Sequence, residues 1–321
     1  MRTLVRFVPA LLAVCVLGLA VPRVVAQDEG PDEDEMKLLE GCYQEGREAT
    51  QAKDFPKAVA AFEKFFPRLA KTQSLPAEVK KKVERDARYD YACGLAQTGK
   101  KADALKAFVR AIELGYWEWK HIDEDKELDS IRKEDDFKKA VEKGKVAEKE
   151  HEEQEKKDYA ARTTEALGKD ALFTFDFEVK TLDGQDLKLS SLKGKVVIVD
   201  VWGTWCPPCR AEIPHFVKLY ETYKAQGLEI VGLAFEGENP DPTGTVKTFA
   251  EKNGIKYPLA CLDESSPVLK SIPEFGAFPT TIFVDREGKV RLKEVGARGP
   301  GALEGITKTL LDAKKADAGK K

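Results

Sequence analysis

The stretch that most constrains this 321-residue chain is Val196-Val197-Ile198-Val199-Asp200-Val201-Trp202, followed by Gly203-Thr204-Trp205 and then by Cys206-Pro207-Pro208-Cys209. A nearly continuous apolar run of β-branched residues reads as a strand buried on both faces, and such a strand needs helices packed over both sides of its sheet. The residues after it read as a helix over 209–226. The chain must therefore hold an α/β layer in which a cysteine pair sits where a buried strand gives way to a helix.

The surrounding pattern extends this layer. From Leu172 onward, short apolar runs alternate with turn signals. Phe173-Thr174-Phe175-Asp176-Phe177 alternates with period two and reads as a strand, and Asp183-Gly184 marks a hairpin turn before Leu187-Lys188-Leu189. Further strands are expected at 228–235, near 257–262, at 280–285 and at 289–295, with helices at 243–253 and 301–312. Alternating strands and helices closed by a hairpin predict a mixed sheet flanked by helices.

The rest of the chain has a different texture. Its length exceeds the usual ~100–200 residues per domain, so two folded units are expected. Met1 to Arg6 is basic, residues 7–21 are apolar, and Ala26 precedes an acidic run, the order of a secretory signal peptide cleaved after Ala26. The alternative is a membrane anchor through residues 4–21. It is not favoured, because the apolar run is short, contains Pro9 and is followed by Arg23. Residues 27–35 read as an acidic linker. Within 36–143, Gly46, Ala58 and Phe62 share their spacing with Ala92, Ala104 and Phe108. The spacing resembles that of tetratricopeptide repeats, in which small residues let paired helices approach. The two alanines are 46 residues apart where such repeats recur at about 34, which places an insertion near 71–83. Residues 144–167 carry Glu152/Lys156 and Glu153/Lys157 pairs and read as a solvent-exposed helical connector. The sheet domain then covers 168–316, and 317–321 form a tail.

Charge and cysteine count narrow the function. With 53 basic and 56 acidic residues, no phosphate-tracking surface and no nucleic-acid partner are expected. Six cysteines are too few for a disulfide scaffold in a chain of this length. A structural zinc wants two close ligand pairs, and here there is one pair with only His121, His151 and His215 elsewhere. No metal and no cofactor are expected. In an oxidising compartment a close pair can instead cycle between dithiol and disulfide. Cys206 at a helix N-terminus meets the positive end of the helix dipole and unpaired N–H groups, which stabilise thiolate over thiol and lower such pKa values to ~3.5–7.5. Cys209, one turn inward, is placed to resolve a mixed disulfide. Pro207 and Pro208 suit a first helical turn and withhold N–H donors from the thiolate. Asp200 in the apolar strand and Glu212 on the helix are candidate proton carriers, and Pro214 removes a backbone bond of the same helix. Cys261 reads as a core thiol, while Cys42 and Cys93 are either free or joined.

Trp202-Gly203-Thr204-Trp205-Cys206-Pro207-Pro208-Cys209, with Glu212, Pro214, Leu192-Lys193-Gly194-Lys195 and Phe278-Pro279-Thr280-Thr281, resembles the thioredoxin superfamily, and within it the TlpA/ResA-like exported oxidoreductases. The resemblance runs from about Phe173 to Leu311. It implies a thioredoxin-like α/β fold, which follows the all-α tetratricopeptide-like domain read from the repeat spacing, and a Cys206–Cys209 redox disulfide. It also implies a cis peptide before Pro279, a substrate face at Trp205, Pro207, Pro208 and Phe278, and a buried acid at Asp200 or Glu212. The expected function is exported thiol–disulfide exchange in the periplasm or cell envelope, with protein dithiols or disulfides as substrates, an upstream electron donor, and a protein partner for the helical domain. Two alternatives stand beside it. One is an adaptor built on the helical repeats; the other is a thiol peroxidase, which wants a threonine or serine where Gly203 stands.

Overall fold

A computed structural model describes residues 33–313. The signal segment 1–26, with Cys15, and the tail 317–321 lie outside the described residues. The chain divides after Glu148 into two compact units.

The first unit is helical: α1 (Glu33–Gln51), α2 (Phe55–Lys71), α3 (Ala77–Gln97), α4 (Lys101–Glu113), α5 (Trp119–Glu124), a 3-10 turn (Lys126–Leu128) and the start of α6 (Asp135–Leu167). Asp54 caps α2 by accepting the Lys57 amide at 3.3 Å, with Pro56 in the first turn. Phe62 is fully buried, and a Cβ on Gly46 would stand 2.7 Å from its ring, so only glycine lets α1 lie this close to α2. Ala92, Ala104 and Phe108 are fully buried in the same way, and Phe108 stacks on Phe137 at 4.2 Å. The insertion near 71–83 becomes the link between α2 and α3 plus the extended start of the 21-residue α3.

The second unit carries two sheets. A hairpin pairs β1 (Glu178–Lys180) with β2 (Asp186–Lys188). The main sheet has the order β5-β4-β3-β6-β7, built from β3 (Val196–Trp202), β4 (Leu228–Phe235), β5 (Leu259–Leu262), β6 (Thr280–Val284) and β7 (Val290–Val295). Strands β3, β4 and β5 are parallel, whereas β6 is antiparallel to β3 and β7 is antiparallel to β6. Helices α7 (Pro207–Tyr223), α8 (Pro242–Asn253), α9 (Pro267–Lys270) and α10 (Pro300–Asp312) complete a thioredoxin-like fold. Along β3 the side chains alternate between two cores. Val196, Ile198 and Trp202 enter one with α7 and α10, and Val197, Val199 and Val201 enter the other. By that alternation Asp200 faces the α7 side.

Two expectations need correction. Phe173 to Phe177 is not a strand: its ends make single bonds, Leu172 N to Val290 O and Leu189 N to Phe177 O, and no ladder forms. Phe175 and Phe177 are buried beside Val199 and Ile282, so the alternation reflects burial rather than pairing. The charged stretch 149–167 is also more than a solvated face. A Cβ on Gly301 would overlap the Glu152 carbonyl oxygen, and one on Gly305 that of Lys156. The glycines of α10 therefore lie against the backbone of α6, where Lys156 pairs with Glu304 at 3.2 Å and Arg162 with Glu294 at 2.9 Å.

This contact sets a test. Gly305→Val should cost about 1–3 kcal/mol in urea unfolding, because the added atoms meet backbone that cannot rotate away. Lys308→Ala on the exposed face of the same helix should change stability by less than about 0.5 kcal/mol.

Candidate active site

Strand β3 ends at Trp202, residues 203–205 turn, and Cys206 is the N-cap of α7. Cys206 and Cys209 are joined by a disulfide, and both are almost fully buried. Pro207 and Pro208 occupy the first two helical positions and have no N–H to give. The first amide the helix offers is that of Cys209, and it donates to Cys206 Sγ at 3.3 Å. The helix thus points its first available donor at the outer sulfur.

Around this disulfide the sheet assembles an aromatic rim. Trp205 is 45% exposed and anchored through its indole N–H to Phe235 O at 2.8 Å. Its ring meets Phe278 edge-on at 5.4 Å, while Phe278 stacks on Phe235 at 5.5 Å. The Phe278–Pro279 peptide is cis. Thr280 pairs with Val201, so Pro279 falls opposite Trp202 at the same end of the sheet. Cys206, Cys209, Trp205, Pro207, Pro208, Phe278 and Pro279 are all drawn to this end.

The two acids sit deeper. Asp200 and Glu212 are each about 1% exposed, so Glu212 is not the solvated helix residue that a surface position would make it. Burial raises the Asp200 carboxyl well above its usual range, and the charge of Glu212 adds to the rise. Burial likewise pushes Glu212 up to about 7, against the lowering effect of the Arg298 amide, which donates to Oε1 at 3.0 Å. That rise from 4.5 corresponds to roughly 3–4 kcal/mol of preference for the neutral form. Asp200 Oδ1, Glu212 Oε2 and the Tyr257 hydroxyl have no hydrogen-bond partner among the described residues, and burial, with the charges of both acids, raises Tyr257 in turn. Burial thus favours the neutral form of both carboxyls and brings Glu212 into the range where it can take up and give back a proton near neutral pH.

Four further residues shape the site without having been singled out in the sequence. Glu236 follows β4 and accepts from Thr204 N at 2.8 Å and from Thr204 Oγ1 at 2.6 Å, clamping the turn before Cys206. Arg298 supplies the amide on Glu212. Tyr257 joins the acid pair. Gly232 pairs with Asp200, and any Cβ there would press on Leu259 and on the Trp202 indole nitrogen. Only Gly232 left a usable signal, a glycine inside an apolar strand. Cys42, Cys93 and Cys261 are free thiols.

A dithiol–disulfide pair at a helix N-terminus of a thioredoxin-like sheet defines a thiol-redox domain. Residues 171–293 match the AhpC/TSA family. The chain is 35% identical over 153 residues to the thiol-disulfide oxidoreductase ResA of Bacillus thuringiensis (strain Al Hakam), covering 47% of this chain and 83% of that protein. It is 37% identical over 133 residues to ResA of Geobacillus kaustophilus (strain HTA426), covering 41% and 71%. Among solved structures, a thiol:disulfide interchange protein of the thioredoxin family from Chlorobium tepidum TLS is 31% identical, with a TM-score of 0.40, over 44% of this chain and 98% of that one. The chain belongs to the ResA family of thiol–disulfide oxidoreductases. These similarities give no support to the reading of the whole chain as an adaptor.

The neutral acids fix the sign of a pH effect. Folded pKa values lie above unfolded ones, so the stability linked to Glu212 is complete below about 4.5 and is lost as pH rises through about 7. Urea unfolding of the oxidised protein should show that loss between about pH 5 and about pH 8, and Glu212→Gln should flatten it. A second measurement concerns the clamp. Glu236→Ala leaves two donors on Thr204 without their acceptor and should cost about 1–3 kcal/mol.

Proposed function

We propose that this chain is an exported enzyme that exchanges disulfides with envelope proteins through Cys206 and Cys209. The observation that carries the reading is the Cys206–Cys209 disulfide with Cys206 at the N-cap of α7, where the Cys209 amide meets its sulfur. In the reduced protein, the Cys206 thiolate attacks a disulfide of the partner, forms a mixed disulfide and expels one partner sulfur as thiolate. Cys209 then loses its proton to the ionised form of the Asp200–Glu212 pair, available near neutral pH because Glu212 lies at about 7, and attacks Cys206 Sγ. The second partner sulfur leaves, so the partner gains two electrons and the enzyme closes its disulfide. With the partner as dithiol the same steps run backward, and the potential of the couple relative to the partner sets the direction.

Trp205, Phe278 and the exposed faces of Pro207 and Pro208 offer an incoming peptide an apolar surface beside the sulfur. Export to the periplasm or cell envelope rests on the basic, apolar and small-residue order of residues 1–26. Among the described residues, no helix is long and apolar enough to cross a membrane. The helical unit, with its Gly46/Phe62 and Ala104/Phe108 packing, is read as a tetratricopeptide-like accessory domain for a protein partner. A peroxidase mechanism is less well served. A side chain at position 203 would stand 2.7 Å from Phe235 O, so the hydroxyl residue that such a site needs does not fit there.

Insulin-disulfide reduction tests the assignment. Cys206→Ser should reduce the rate to that of the uncatalysed reaction, and Cys209→Ser should accumulate a mixed disulfide with the substrate. Full activity in Cys206→Ser would contradict it.

A further inference from the structure

The stretch that brings the Arg298 amide to Glu212 is held from its other side by the second half of α6. Glu294, the last residue but one of β7, is 4% exposed and lies at the centre of that hold. Arg162 Nη2 donates to Glu294 Oε1 at 2.9 Å, Arg298 Nε donates to Oε2 at 2.9 Å, and Tyr159 OH donates to the same oxygen at 3.5 Å. Arg298 Nη2 stands 2.8 Å from Oε2 as well, and Nη1 closes the turn onto Gly296 O at 3.2 Å. The Arg298 main chain meanwhile donates to Glu212 Oε1 at 3.0 Å. One residue therefore has its side chain in the grip of Glu294 and its amide on the acid beneath the disulfide.

Sheet register explains how Glu294 comes to be buried there. It pairs with Thr281 on β6, and Thr281 pairs with Asp200 on β3, so the three side chains stand in one row on the α7 face of the sheet. An isolated carboxylate in that row would be costly, whereas two guanidiniums satisfy both of its oxygens. A buried ion pair seldom stabilises a fold more than apolar packing of the same volume, and what this one supplies is a fixed direction for Arg298. Two glycines keep the same stretch against α6. A Cβ on Gly299 would stand 2.7 Å from Glu155 Oε2, and one on Gly301 would overlap the Glu152 carbonyl oxygen. The ionisable groups that face Glu212 are Asp200 from β3, Tyr257 from the loop before β5 and Arg298 from the loop after β7, and of these three Arg298 is the cation.

We propose that Glu294, together with Arg162 and Tyr159 of α6, is a positioning group for Glu212: it fixes Arg298 so that the amide of that residue stays on the Glu212 carboxyl. The second half of α6 is then part of the support of the redox site and not a connector alone. Its bearing on exchange rests on Glu212 as the proton carrier, whereas the positioning is measurable without exchange.

The test uses the full chain, isotope-labelled for amide NMR, with Cys206 and Cys209 oxidised. In the wild type the Arg298 amide proton should shift as Glu212 ionises, with a midpoint at about 7, and Glu212→Gln should abolish that response. Glu294→Gln places an amide nitrogen, which cannot accept, where a carboxylate oxygen met a guanidinium. The response at residue 298 should then fall by about half or more and its amide should exchange with solvent about tenfold faster, while the amide of Ile306 on α10 keeps its wild-type rate. Arg298→Ala should do the same and raise the Glu212 midpoint by about one pH unit, because the hydrogen bond and the positive charge that favour the ionised form are both weakened. Arg162→Ala removes a partner that is half exposed and should give the same changes in smaller measure, with Arg162→Lys restoring the wild-type behaviour. A wild-type response and exchange rate at residue 298 in folded Glu294→Gln would overturn the proposal; where that variant does not fold, the same result in Arg162→Ala would. Thiol–disulfide exchange by Arg298→Ala separates the two readings. A rate profile that moves to higher pH with the midpoint supports both, and a midpoint that moves under an unchanged profile supports the positioning while counting against Glu212 as proton carrier.

Discussion

The redox end of the second unit depends on one local arrangement, the meeting of the Cys209 amide with Cys206 Sγ at the start of α7. Two prolines remove the donors that would ordinarily come first, so this amide is the earliest that the helix can offer. A thiolate at Cys206 receives that donor together with the positive end of the helix dipole. The rest of the site serves to keep this helix end in place. β3 is buried on both faces and delivers the chain to a fixed point, Glu236 holds Thr204, and Trp205 is tied to Phe235 O.

Beneath the disulfide, the chain accepts the cost of burying two carboxyls. Asp200 belongs to a strand whose other residues are apolar, and Glu212 to a helix face turned inward by the packing of Ile213 and Phe216. Among the described residues neither acid forms an ion pair: Glu212 accepts the Arg298 amide and feels the Arg298 charge, while the Arg298 side chain is engaged by Glu294 at 2.9 Å. Carboxyls shifted toward their neutral forms are the outcome, and in the proposed exchange Glu212, at about 7, offers a place for the proton that Cys209 gives up and regains.

Much of this was legible in the sequence where the signal is local. The apolar run 196–202, the CxxC after it, the strand at 228–235 and the helix starting near 301 are set by residues within a few positions of one another. The buried state of Glu212 was not legible, because an acid on a helix looks the same from either face until the partner surface is known. Glu236, Tyr257 and Arg298 reach the site from 30 or more residues beyond Cys206, through sheet register and loop return, and carry no motif. Phe173 to Phe177 shows the opposite failure. Its alternation is real, but burial of alternate aromatic rings needs no partner strand.

We propose that Cys206 is the activated sulfur and Cys209 the protected one. It is tested most directly by titrating thiolate absorbance in the reduced protein, with Cys42, Cys93 and Cys261 replaced by serine, in the presence and absence of a further Cys206→Ser change. One thiol should titrate within about 3.5–7.5 and be lost with Cys206→Ser, while Cys209 titrates higher. Two thiols titrating together near about 8.5, or a low value that survives Cys206→Ser, would contradict it.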